Sequence, residues 1–333
     1  MKLVSLSWPL GGATVVLAAC LFVTQPASGA PTDIAGLLHW HQASSVSGVG
    51  DGGTVSSWGN DAGCGAYCGG TLTAPTHTGG PVMAGTSDPT YNATGFNGMG
   101  AVRFNGSAPD GALGATPNNP DALLDRLEYD VQLPAGLSGF DPNYTMIIAA
   151  ERAGVGDGGF GSQVAGFGHF NATGPWLQIT DNVGMQHAFG GPVNATTFVA
   201  DPVGVPNIYV LRKTADALPV SASNTHLSRN DSTNLVTAGF AAIPNIVVNP
   251  GTPGVQVGWN GVTGGAEWAP GDTNVAELII YDRDLTESEM NQVGLYLAGK
   301  YGLDTGFVPE PTSIVLLGIG ALGLMGFRRR ASA

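Results

Sequence analysis

Charge is scarce in this chain. Only 11 % of its 333 residues are Asp, Glu, Lys or Arg, and the balance is acidic, with 12 basic residues against 25 acidic and a net charge of −13. Setting aside Lys2, Arg328, Arg329, Arg330 and Glu310 at the two ends leaves 8 basic and 24 acidic residues in 31–308, or −16. No basic face can be built from so few cations, which excludes a nucleic-acid partner held through its phosphates. Cysteine is scarcer still. Of three, Cys20 falls in an N-terminal apolar run, leaving Cys64 and Cys68 in Gly63-Cys64-Gly65-Ala66-Tyr67-Cys68-Gly69-Gly70. In an oxidising compartment that spacing reads as a small local disulfide, and no second Cys/His pair with zinc-like spacing stands nearby. Two free thiols or half of a metal site are the alternatives.

Catalytic signatures are also missing. No G-x-S-x-G, H-E-x-x-H, G-x-x-x-x-G-K-[ST] or complete EF-hand loop occurs in the sequence. Long amphipathic helices do not recur, so parallel βαβ units are excluded. What is present is glycine, 52 residues of it, amid Thr, Asn and Ser. That composition suits many short strands joined by turns.

The two ends carry clear signals. Lys2 precedes an apolar run from Leu10 to Val23, and Ala27-Ser28-Gly29-Ala30 supplies the small residues of a signal-peptidase site, so residues 1–30 read as a signal peptide. Leu17-Ala18-Ala19-Cys20 also has the shape of a lipoprotein box, but Leu21-Phe22-Val23 continues the apolar run beyond it. At the other end Pro309-Glu310-Pro311 is followed by an apolar stretch from Thr312 to Phe327 and then Arg328-Arg329-Arg330. Sixteen helical residues cover about 24 Å, just short of the hydrocarbon thickness. The arginines would remain cytoplasmic and hold the large domain outside.

This tail resembles the PEP-CTERM sorting signal: Pro309, Glu310 and Pro311 as the motif, a membrane segment, and Arg328, Arg329 and Arg330 as the basic cluster. The resemblance implies recognition by an exosortase and a host that makes an exopolysaccharide. It places the chain at the cell surface or outside the cell, membrane-anchored before the tail is processed.

Between the ends, period-2 runs bounded by Gly, Pro, Asn and Asp predict ten strands: 37–41, 101–105, 144–152, 163–170, 176–180, 185–189, 207–214, 221–229, 255–259 and 275–282. The expected fold is all-β, a two-sheet antiparallel jelly-roll sandwich over residues 31–305, followed by the tail 306–333. One helix is well signalled. Thr286 with Glu289 three residues on forms a capping box, and Met290, Val293, Gly294, Leu297, Ala298 and Tyr301 share a face that should pack on the sandwich edge. Gly302 stops it, and Asp304 to Val308 reads as a linker to the tail. A shorter helix is expected from Asn119-Pro120 through Leu127.

Two stretches carry a second resemblance. Leu37-Leu38-His39-Trp40-His41-Gln42-Ala43-Ser44, Asp51 through Asp61 with Ser57-Trp58-Gly59-Asn60, Pro89-Thr90-Tyr91 and Phe96-Asn97-Gly98 through Gly106 form the first, and Val275 to Glu287 running into Tyr296 to Leu303 forms the second. Together they are similar to the opening and closing segments of LamG-like, concanavalin A-like jelly rolls. Many members have Asp where this chain has Gln42, and Asp-x-Ser-Gly where it has Asn60-Asp61-Ala62-Gly63.

Candidate site residues follow from these patterns. Lectin sites combine an aromatic face with amide or carboxylate hydrogen bonds, which selects Trp176, Trp259 with Asn260, and Trp268 with Glu267; Trp40 and Trp58 read as core. Loop oxygens can bind Ca²⁺, and Asp51 and Asp61 are the candidates, each equally readable as a turn former. His39 and His41 share one strand face and could ligate a metal together; the plainer reading is a solvent-facing pair opposite a buried Trp40. Glycosidase chemistry needs two facing carboxylates, and Glu267, Asp272 and Glu277 are interrupted by Pro270-Gly271. The expected role is binding of glycan or matrix components without catalysis. The alternatives are a polysaccharide hydrolase or lyase, and a purely structural coat or adhesion protein.

Overall fold

Nearly unbroken apolar runs set the centre of the molecule. Tyr144–Arg152 and Thr273–Tyr281 are buried along almost their whole length, as strands covered on both faces must be. The computed structural model describes residues 29–63, 70–73, 89–105, 126–129, 143–154, 162–166, 176–180, 184–188, 194–196, 202–213, 225–235, 255–258 and 272–308.

Numbered in chain order, the central sheet holds β1 (Leu37–Gln42), β4 (Thr90–Phe96), β5 (Met99–Phe104), β7 (Tyr144–Arg152), β12 (Asn207–Lys213), β13 (Thr225–Arg229) and β15 (Thr273–Tyr281). The second sheet holds β2 (Ser57–Trp58), β3 (Leu72–Thr73), β6 (Arg126–Tyr129), β8 (Ser162–Gly166), β9 (Trp176–Thr180), β10 (Gly184–Ala188), β11 (Asn194–Thr196) and β14 (Val255–Gly258). Their orders are β13-β12-β7-β15-β5-β4, with β1 also on β15, and β11-β10-β9-β8-β14-β6-β3-β2. Every strand pairing among the described residues is antiparallel. All ten strands expected from the sequence coincide in whole or part with these. Strand β15 carries β7 along one edge and shares the other between two partners, β5 at Thr273–Val275 and β1 at Glu277–Tyr281.

The two sheets meet across one hydrophobic cluster. Trp58, Leu72, Leu127, Val164, Leu177, Ile179, Val255 and Val257 from the second sheet join Val102, Phe104, Tyr144, Met146, Ile148, Leu211, Leu278 and Ile280 from the central one. A second cluster lies on the opposite face of the central sheet. There Ile147, Ala149, Ile208, Val210, Ala276, Ile279 and Tyr281 meet the single α-helix of the described residues, α1 (Glu287–Tyr301). The arrangement is sheet, sheet, helix.

Helix α1 begins as expected. The Thr286 side chain accepts from the Glu289 backbone N–H while the Glu289 carboxylate accepts from that of Thr286, and Gly302 ends the helix at φ 65°. The six residues read as its apolar face are all buried. Its position differs from expectation: it covers the broad outer face of the central sheet, not the edge of the two-sheet stack. The reason is that β7, β12 and β15 are apolar on both faces and need a second cover. A hairpin tip supports its C-terminus, where Asn97, at φ 48° between β4 and β5, donates from Nδ2 to the Tyr301 carbonyl at 2.6 Å.

Two further corrections concern chain ends and helices. Within Asp304 to Val308, read as a linker, Phe307 is docked while Asp304, Gly306 and Val308 stay exposed. Phe307 is 4 % exposed, and a Cβ added at Gly294 would sit 2.4 Å from its ring, so the helix is notched by glycine to receive it. The Gly306 N–H also donates to the Asn230 carbonyl. Phe307, two residues past the expected domain end at 305, thus joins the helix-side cluster. The helix expected through Leu127 gives way at its end to β6, where Leu127 pairs with Val257 and is buried between the sheets; residues 119–125 lie outside the described residues. Residues 1–28 of the expected signal peptide (1–30), Cys64, Cys68 and the tail from Pro309, with the expected membrane segment Thr312–Phe327, also lie outside them. Among the described residues no helix is long and apolar enough to cross a membrane.

Candidate functional site

A β-bulge creates a buried polar cluster in the described fold. In β15 the register on β7 shifts between Val275 and Glu277, leaving Ala276 as the extra residue. Ala276 and Glu277 consequently face the helix together; in a regular strand Glu277 would point between the sheets. Its carboxylate is fully buried and fully partnered. Oε1 accepts from Trp40 Nε1 at 2.5 Å, and Oε2 accepts from Lys300 Nζ at 2.6 Å and from the Tyr301 hydroxyl at 2.8 Å.

Lys300 completes the cluster from the last turn of α1. Its Nζ also donates to Gln42 Oε1 at 2.5 Å and to the Tyr296 hydroxyl at 3.0 Å, and it lies 5.4 and 5.3 Å from the Tyr296 and Tyr301 ring centroids. Gln42 Nε2 donates to Asp61 Oδ2 at 3.1 Å. Burial first, and the Glu277 charge second, push both phenols far above their ordinary pKa, so Tyr296 and Tyr301 remain hydrogen-bond donors. A buried ion pair holds when its remaining donors and acceptors are satisfied, and here they are. The cluster ties β1, β15 and α1 together.

The other face of β1 carries two imidazoles. His39 and His41 stand opposite Ile280 and Leu278, side chains of the inter-sheet core, and are 1 % and 0 % exposed. Trp40, opposite Ile279, faces the helix and is only partly buried. This reverses the solvent-facing reading of the pair, because β1 sits inside the sheet stack and both its faces are covered. His41 Nδ1–H donates to the Gly59 carbonyl at 2.8 Å, so in the neutral ring Nε2 is free to accept from His39 Nδ1–H at 3.3 Å. Burial lowers the His39 pKa to about 3 and that of His41 to about 4. Trp58 packs on His41 at 5.7 Å and is fully buried, as read from the sequence.

The remaining predicted residues are scattered or lie beyond description. Trp176 sits in β9, paired with Ala188 and Gly166. Trp259, Asn260, Glu267 and Trp268 are outside the described residues. Asp51 is exposed and its Oδ1 accepts the Ala93 N–H; Asp61 accepts from Gln42 and Ser45. The two carboxylates thus serve different turns, and among the described residues no group of three or more His, Cys, Asp or Glu could hold a metal ion. Asp272 ion-pairs with Arg103 at 3.0 Å at the start of β15, while Glu277 is committed as above. Sequence reasoning missed Lys300 and Tyr296. Their i, i+4 spacing beside an apolar stripe was the one available signal.

Comparison with known proteins gives one match to a family model, confined to the C-terminal end of the chain. Residues 307–330 match the PEP-CTERM protein-sorting motif, which marks an exported, exosortase-sorted cell-surface protein. No curated protein sequence matches the chain. Among solved structures, Trypanosoma rangeli sialidase in complex with 2,3-difluorosialic acid aligns at 14 % identity and TM-score 0.47, over 80 % of this chain and 33 % of that one. Domain 4 of the arabinanase AbnA from Geobacillus stearothermophilus, with arabinotriose, aligns at 14 % and 0.41, over 76 % and 95 %. The CBM40 of Ruminococcus gnavus IT-sialidase, bound to sialyllactose, aligns at 16 % and 0.33, over 44 % and 80 %. The chain spans about a third of the sialidase's length. Likeness at these scores leaves the function to be argued from the chain's own residues.

Proposed function

We propose that this chain is an exported surface or matrix protein whose β-domain, a LamG-like, concanavalin A-like jelly roll, binds carbohydrate. The observation that carries the reading is the sorting motif at 307–330. A signal peptide over residues 1–30 would start the export route that this motif completes. The glycan assignment rests on Trp259 beside Asn260 and Trp268 beside Glu267, the pairing of an apolar ring face with amide or carboxylate acceptors that sugar recognition uses. Binding without catalysis is supported by the engagement of Glu277 with Lys300 and of Asp272 with Arg103, and by the lack of hydrolase signatures. Where Ca²⁺ takes part, loop oxygens such as Asp51 and Asp61 are the ligands proposed.

The test is a glycan-array and polysaccharide pull-down with the full chain, with and without Ca²⁺. The expected result is binding to at least one polysaccharide, weakened about tenfold or more by Trp259→Ala or Trp268→Ala, the weight of one ring face. Retention of no glycan, host exopolysaccharide included, would favour a structural coat. Release of reducing ends or unsaturated sugars would favour a hydrolase or lyase.

A further inference from the structure

We propose that Lys300 and Gln42 form an intramolecular isopeptide cross-link, with Glu277 as the proton carrier. The inference is independent of the glycan reading and rests on the geometry of the bulge cluster. Amide exchange between an amine and a carboxamide needs contact, a base for the ammonium proton, a donor at the developing oxyanion, and little competing water. All four are present. Lys300 Nζ lies 2.5 Å from Gln42 Oε1 and 2.6 Å from Glu277 Oε2, with Lys300 and Glu277 side chains 18 % and 0 % exposed. The Tyr296 hydroxyl, 3.5 Å from Gln42 Oε1, is the donor on the carbonyl.

Of the two carbonyl carbons near Nζ, that of Gln42 is the electrophile. A carboxylate is a poorer electrophile than a carboxamide, and Glu277, held in place by Trp40 Nε1–H and the Tyr301 hydroxyl, has Oε2 2.6 Å from Lys300 Nζ, where it can take the proton. In the step, Lys300 Nζ passes one proton to Glu277 and its lone pair forms the Nζ–Cδ bond. The tetrahedral oxyanion collapses, the Cδ–Nε2 bond breaks, and Nε2 leaves with the proton held by Glu277 and one from Nζ. A carboxamide and an alkylammonium become a secondary amide and an ammonium ion; charge is conserved and no oxidant is needed. Asp61 Oδ2, already accepting from Gln42 Nε2, holds the leaving nitrogen.

The bond would join the first strand of the fold to the end of its helix, across 258 positions of sequence. Closing so long a loop restricts the unfolded chain strongly.

Mass spectrometry of the full chain purified from expressing cells tests this without any substitution. The expected result is a mass about 17 Da below that of the sequence, one ammonia, with trypsin failing to cut after Lys300 and one branched peptide holding both Gln42 and Lys300. Mapping that peptide separates the bond from a succinimide at an Asn-Gly site, which has the same mass change. Glu277→Gln and Lys300→Arg should both restore the full mass. Separate unmodified peptides around Gln42 and Lys300 in the folded wild-type chain would overturn the proposal, as would a loss of about 18 Da with Lys300 joined to Glu277 instead.

Discussion

Taking the folded chain from pH 7 to pH 5 will remove about 5 kcal/mol of its stability, read as a falling urea midpoint. Three imidazoles produce the effect. His39, His41 and His226 are buried and held neutral, with pKa values of about 3, about 4 and about 4 against 6.5 for a free side chain. As pH falls below 6.5 the unfolded chain takes up protons that the folded chain refuses until about pH 4, so stability drops through that window; above 6.5 these groups impose no pH dependence. Burial is the largest cause at each position. His41 opposes protonation of His39 and Arg212 that of His226, while backbone hydrogen bonds to Gly59 and Trp58, and then the Asp61 charge, work the other way on His41. Glu151 and Asp284, raised by burial, partly offset the loss as they protonate. His39→Gln should therefore flatten the profile by about a third. A midpoint unchanged between pH 7 and pH 5 would mean that the imidazoles are hydrated and the inter-sheet packing of β1 is wrong.

Trp58→Ala should cost about 3 to 5 kcal/mol, the price of an unfilled indole-sized hole. The side chain lies in the inter-sheet core with no exposed surface, packs on His41, and donates from Nε1 to the Gln42 carbonyl at 2.8 Å. Truncation removes the ring and also leaves that carbonyl without its donor. Trp58→Phe refills much of the space and should cost clearly less, isolating the hydrogen bond. Chemical denaturation of the two variants separates the contributions, and a loss below about 1 kcal/mol for Trp58→Ala would contradict the burial described here.

The sequence made the regular parts of the fold legible because they obey simple periods. Short apolar runs rich in Ile, Val and Tyr mark strands over Tyr144–Arg152 and Thr273–Tyr281, and Thr286 with Glu289 marks the helix start to the residue. Short strands such as Ser57–Trp58 and Leu72–Thr73 are too brief to show a period; tertiary pairing alone defines them. Asn119-Pro120 through Leu127 invited a helix because Pro suits a first turn and Ala, Leu and Arg suit its interior, yet pairing with Val257 drew Leu127 into a strand. The bulge at Ala276 was the larger omission. One inserted residue turns Glu277 from one face to the other, and no local composition announces it. The docking of Phe307 was hidden for a related reason, since the notch at Gly294 exists only once the helix is laid against the chain end.

Sorting of the tail is the most direct test of the whole reading. The full chain should be expressed in cells with and without an exosortase, and its mass and location compared. The expected result is loss of the tail only where the enzyme is present, with Glu310→Ala accumulating as the unprocessed membrane-bound form. An identical mass and location in both cells would contradict the assignment of Pro309, Glu310 and Pro311 as a working sorting motif.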